Sequence, residues 1–138
     1  MGPVIDAEAD YAASVFGLAR SISGDISDGD WTLPVRKAAE LASRFDHADA
    51  DTRRRMIAAD PGTTGDPRGD AFVAALAEWR AARTGIIAPE WTYGPDRYLD
   101  HGWWVTPMVG MRAWEYAGSP ASFQLRGIYL HRDSLINV

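Results

Sequence analysis

DPRGDAFVAALAEWRAARTG, residues 66–85, decides the fold. Asp66 is placed to accept a free backbone N–H at the start of a helix, and Pro67 fits the first helical position because no intrahelical donor is lost there. Phe72, Val73, Leu76 and Trp79 follow at helical spacing, with Glu78, Arg80 and Arg83 off that stripe. Gly85 stands where a left-handed residue would end the element. A long helix is expected here.

Working towards the N-terminus, PGTTGDPRGD (61–70) carries three glycines and two prolines in ten residues and reads as a connector between two helical halves. Before it, Asp49 or Asp51 is placed to cap a short helix over Thr52 to Ala59, stopped by Pro61. A longer helix enters at Trp31 or Thr32, tolerates Pro34 in its first turn, and buries Val35, Ala38, Ala39, Leu41, Ala42 and Phe45. Residues 7–22 read as a first helix capped by Asp6, with Tyr11, Val15, Leu18 and Ile22 on one face and Gly24 at its end.

Towards the C-terminus the pattern becomes irregular. Residues 91–129, WTYGPDRYLDHGWWVTPMVGMRAWEYAGSPASFQLRGIY, hold four of the six tryptophans and four of the five tyrosines. IIAPEWTYGP reads as an extended loop, since proline disfavours helix at the residue before it, and PDRYLDHG as one turn. Thr106-Pro107 and Ser119-Pro120 repeat the polar-cap-plus-proline device of Asp66-Pro67, predicting a helix through Met108 and Tyr116 to Gly118 and a short one ending at Gly127. Ile128 to Leu130 read as extended, and Asp133 as the cap of a last turn. The expected fold is mostly α: a compact multi-helix domain over 1–138, with a helical half (1–60), an irregular aromatic-rich half (66–138) and at most a tiny strand pair.

Composition narrows the function. At 138 residues and 15.1 kDa the chain is one domain's worth. It has no cysteine, so disulfides, thiolate metal sites and thiol nucleophiles are excluded. No apolar run approaches a membrane span, and the N-terminus lacks a signal peptide's basic and apolar regions, so a cytoplasmic protein is expected. The net charge is -5. Eleven acids oppose seven bases in residues 1–60, against eight and seven in 61–138. That balance lacks the basic footprint of a nucleic-acid binder. Arginine supplies all but one of the fourteen basic residues, Lys37 being the exception.

Catalytic and ligand-binding patterns are weak. His47, His101 and His131 share no helical face, and Asp96, Asp100 and His101 are too few for a supported metal site, so neither metal nor cofactor is expected. A nucleophilic triad from Ser119 or Ser122, His101 or His131, and Asp133 lacks a GxSxG elbow. The connector's glycines lack the lysine and Ser/Thr of a phosphate-binding loop. An enzyme would need His101 or Glu115 in a deep pocket. Arg53, Arg54 and Arg55 could contact phosphate if the second and third helices formed a helix-turn-helix, but Asp49, Asp51 and Asp60 flank them. A DNA-binding regulator is therefore the alternative reading, not the first.

The aromatic residues carry the leading expectation. So many in one small domain form either an unusually aromatic core or, in part, a binding face, where Trp, Tyr and Arg are enriched. Adjacent Trp103 and Trp104 cannot both point inward from one strand, so at least one is expected at the surface or in a groove. The candidate partner-binding residues are Trp91, Tyr93, Arg97, Tyr98, Trp103, Trp104 and Arg112.

Through TGDPRGDAFVAALAEWRAARTG, WTYGPDRYLDHGWW and SPASFQLRGIYLHRDSL, the region 62–136 resembles a group of small proteins of high-GC bacteria. They share a helix ending in AEW or AEH before R and G, a W…P.R(Y/F)L…WW segment and SPA.F..RGI(Y/F). They are encoded beside toxin genes, some of nucleotidyltransferase type. The resemblance implies the antitoxin side of a toxin–antitoxin pair: a non-enzymatic protein-interaction module that occludes a cognate toxin. It implies an association and no chemistry.

Overall fold

In a computed structural model describing residues 14–136, the elements run α1 (Val15–Asp25), a 3-10 turn (Ile26–Asp28), α2 (Thr32–His47), α3 (Ala50–Ala58) and α4 (Pro67–Arg83). Two 3-10 turns (Glu90–Tyr93, Pro95–Arg97) lead to β1 (Trp103–Trp104). A further turn (Val109–Met111), α5 (Arg112–Gly118), α6 (Ala121–Leu125), β2 (Ile128–Tyr129) and a last 3-10 turn (Arg132–Leu135) complete the chain. The architecture is mostly α, with one two-stranded sheet.

The helix expected over 66–85 is the axis of the molecule. Asp66 accepts the Arg68 N–H at 2.8 Å, Pro67 opens α4, and Gly85 follows its end at φ 72°. Its burial exceeds a stripe: every residue from Ala71 to Ala77 is buried. The four alanines in that run let neighbours approach closely, and a helix apolar all round belongs inside a core. α1 packs on it through Val15, Leu18 and Ile22, α2 through Ala38, Leu41, Ala42 and Phe45, and α6 through Phe123, while α3 joins the same core against α1 and α2 through Met56 and Ile57.

One core cluster runs from Val15 to Leu135 and draws on both expected halves. The connector is correspondingly not a slack boundary. Buried Asp70 accepts the Thr64 N–H at 2.6 Å and the hydroxyls of Thr63 and Thr64 at 2.8 Å, while Ser23 donates to the Thr64 carbonyl at 2.8 Å. Its glycines turn a chain that is bolted to the first turn of α4 and to α1.

Several local expectations need correcting. The Asp6 cap and residues 7–13 of the first helix lie outside the described residues; within them, Ser14 caps α1 by accepting the Gly17 N–H. Gly24 does not end α1, which runs one residue further. IIAPEWTYGP is not wholly extended, because Glu90–Tyr93 coil into a 3-10 turn. Thr106-Pro107 starts no helix: residues 105–108 remain irregular and α5 begins at Arg112. Ser119 does not cap the start of α6; it ends α5, its hydroxyl donating to the Glu115 carbonyl and accepting the Leu130 N–H. The last turn is capped by His131, whose Nδ1 accepts the Asp133 N–H at 3.0 Å, not by Asp133. Asp49 does cap α3, and Gly127 follows α6 at φ 77°.

Candidate protein-binding cleft

The two-residue strands pair in parallel, Trp103 with Ile128 and Trp104 with Tyr129. Successive side chains on a strand leave opposite faces. The Trp103 indole meets Trp31 edge-on at 4.6 Å between ring centroids and packs against the core. The Trp104 indole lies against Tyr129 at 4.6 Å and donates from Nε1 to the Arg112 carbonyl at 3.1 Å. Neither tryptophan is free in solvent; both are half-buried in the walls of a cleft.

That cleft encloses about 600 Å³ between the segment from Trp103 to Pro107 and the segment from Gly29 to Val35, with Leu130 and Ser134 also lining it. This is within the range of small-ligand and side-chain pockets. Its lining is mainly apolar, from Trp31, Val35, Trp103, Val105 and Leu130. Two guanidinium groups sit against its indoles. Arg68 lies 5.6 Å from the Trp31 ring and 5.5 Å from that of Trp103, and Arg112 lies 4.9 Å from Trp104. Arg68 is held by the Asp66 carboxylate at 2.7 Å, which keeps Asp66 ionised well below the usual carboxylate range and raises Arg68. No carboxylate among the described residues pairs with Arg112. At the other end, Asp30 accepts the Thr32 N–H, and that bond holds its carboxyl low as well. Beyond the cleft, Met108 and Val109 are 64% and 69% exposed, and Trp114 and Tyr116 are exposed on α5.

The seven candidate residues thus separate. Trp103 and Trp104 line the cleft and Arg112 covers the Trp104 ring. Trp91, Tyr93, Arg97 and Tyr98 line none of it. Arg97 corrects the expectation most sharply. It is 3% exposed, donating to the Asp70 carbonyl at 3.2 Å, the Gly62 carbonyl at 2.9 Å and the Asp60 carboxylate at 2.8 Å, so it holds the connector and cannot meet a partner. Trp91 lies beneath its guanidinium and donates to the Ile57 carbonyl at 2.8 Å, which makes it a clamp on α3. Tyr93 and Tyr98 are exposed but anchored: the Tyr93 hydroxyl bonds the Glu78 carboxylate, which raises its pKa, and Arg126 lies over Tyr98 at 4.8 Å. Trp31 and Arg68 were missed as site residues. Trp31 reads from sequence as a helix entry, and only the fold sets it opposite Trp103.

The remaining polar groups have structural partners. Ser119 and Ser122 donate to the Glu115 and Ala75 carbonyls, so the imagined triad does not assemble. Glu115 is buried and accepts the His131 N–H at 2.7 Å. His101, Asp96 and Asp100 are exposed, and no group of three potential metal ligands occurs among the described residues. Arg53 donates to the Phe45 and Asp46 carbonyls at the end of α2, while Arg54 and Arg55 stay exposed and donate to Asp51 and Thr52 on their own helix. A second cleft of about 300 Å³ gathers His47, Arg80, Arg83 and Arg132. It lies where α2 and α4 end, and cations there offset the negative helix termini. No described helix is long and apolar enough to cross a membrane. Scans against protein-family models, curated proteins and solved structures find no match to this chain.

Proposed function

We propose that this chain is a non-enzymatic protein-interaction module whose aromatic cleft, with the apolar rim of Met108 and Val109, receives a partner protein. The observation that carries this reading is the cleft itself: half-buried indoles under two guanidiniums, beside exposed apolar side chains that no described residue covers. Trp and Arg are the residue types that dominate binding energy when a partner excludes water from them. The resemblance of residues 62–136 to proteins encoded beside toxin genes, some of nucleotidyltransferase type, supplies the kind of partner: a cognate toxin. Occlusion would be steric, with the acidic chain (net charge -5) set against a toxin site built for nucleotide or RNA.

Co-expression with the product of the adjacent gene, followed by affinity purification, tests the reading. A stable complex lost in the Trp104→Ala variant is the expected result. Absence of any complex, with growth indifferent to deletion of this gene, overturns it.

A further inference from the structure

Resting on that interaction reading, we propose a docking mode: the partner adds a short extended segment to the free edge of β1, with one apolar side chain in the cleft and a neighbouring acidic side chain at Arg112. β1 donates to β2 from Trp103 N–H to the Gly127 carbonyl at 2.7 Å and from Val105 N–H to the Tyr129 carbonyl at 3.2 Å. In a parallel ladder the N–H and C=O of the intervening residue point to the other side. The N–H and C=O of Trp104 therefore face away from β2, and no described residue bonds either of them. The other edge of the sheet lies inside the molecule. There Ile128 is fully buried, and just beyond β2 the Leu130 N–H is taken by the buried Ser119 hydroxyl at 2.8 Å and the His131 N–H by buried Glu115 at 2.7 Å. One edge is buried within the chain, and the other belongs to half-buried Trp104.

The open edge belongs to the strand that forms a wall of the cleft. An added strand would bond Trp104 through its main chain while its side chains alternate between the two faces. On the Trp103 face it meets Trp31, Val35 and Leu130, which suit an apolar or aromatic side chain. On the Trp104 face it meets Arg112, a cation with no carboxylate partner among the described residues, which suits an acidic one. Asp30 at the far end of the cleft repels a second acid there. Charge and alternation together select an extended apolar–acidic pair. A helix would satisfy neither Trp104 main-chain group.

The test uses the full chain and the capped peptide acetyl-Thr-Val-Phe-Glu-Val-Thr-amide, read by tryptophan fluorescence and amide exchange. Two N-methylated peptides each block one alternate set of amides, so that only one of them removes the bonds facing Trp104. The expected result is saturable binding, protection of the Trp104 amide, and a loss of about tenfold with one methylated peptide and not the other. Replacing the peptide glutamate by glutamine and making Arg112→Gln should each weaken binding, with no added loss when combined. Failure of the unmodified peptide to bind, or equal losses with both methylated peptides, overturns the docking mode. A co-purified partner protein that leaves the Trp104 amide exchanging as in the free chain also overturns it, while the interaction reading stands. Peptide binding with Trp104 protection, but no complex with the adjacent gene product, supports the docking mode and removes the toxin.

Discussion

Arg126 shows how much of this chain's arginine serves the interior. It is 0% exposed, with Nη1 donating to the Glu78 carboxylate at 2.7 Å and the Ser122 carbonyl at 2.9 Å, and Nη2 to the Thr92 carbonyl at 2.6 Å. Truncating one member of a buried ion pair leaves the others desolvated and unpaired. Arg126→Ala is expected to cost about 3–5 kcal/mol in urea unfolding, and Arg126→Lys should recover only part of it because an ammonium cannot reproduce the fork. A substitution of similar cost to that of a surface arginine would show the network to be dispensable. Gly118 makes a different point. A Cβ there would stand 1.8 Å from His131 Cδ2, and that ring stacks on Trp114 at 3.8 Å and 9°. Gly118→Ala should therefore expel the imidazole, at about 1–3 kcal/mol for overpacking, with a change in the fluorescence of Trp114 that Gly110→Ala, in open space, does not produce.

At the scale of the element, α4 depends on its first turn. Hydrogen bonding from Arg68 holds the Asp66 carboxyl below its ordinary value, so the folded group binds its proton less readily than the unfolded one. Its contribution is then complete above the unfolded value of 3.8 and is lost as pH falls through the lower folded value. Asp66→Asn should retain most of the cap, since asparagine caps as well as aspartate, yet flatten the stability of the chain below about pH 4. An unchanged acid-unfolding curve would assign that sensitivity elsewhere. Such caps were legible because their partners lie within a few residues: Asp66 with Arg68, Asp49 with Thr52, and the glycines after α4 and α6. The misread elements depend on distant partners. Ser119 looks like a cap beside Pro120, but its bond to Leu130 spans 11 residues, and Glu115 reaches His131 across 16. Arg97 looks like an interface residue among tyrosines, yet its partners lie 27 to 37 residues upstream. Local chemistry fixes where a helix starts; it does not show which groups the tertiary fold will bring to a polar side chain.

For the whole molecule, the question is which exposed apolar surface is surplus to folding. The aromatic excess sorts unevenly: Phe123 and Trp31 are core, Trp91 clamps α3, and Trp103 and Trp104 wall the cleft. Met108 and Val109 follow Pro107 of that wall and remain largely exposed. Introducing charge there leaves the core untouched, because surface substitutions away from caps and networks shift stability within about 0.5 kcal/mol. If the rim meets a partner, a buried unpaired carboxylate in the interface costs far more than that. The double variant Met108→Asp, Val109→Asp should thus unfold at the same temperature as the parent chain while its complex with the adjacent gene product weakens by about tenfold or more. Exposed residues outside this region supply the control: Ile87→Asp, at a position 92% exposed, should change neither quantity. Equal weakening by Ile87→Asp would move the interface off the cleft, and a lowered unfolding temperature in the rim variant would show that Met108 and Val109 support the fold and not a partner.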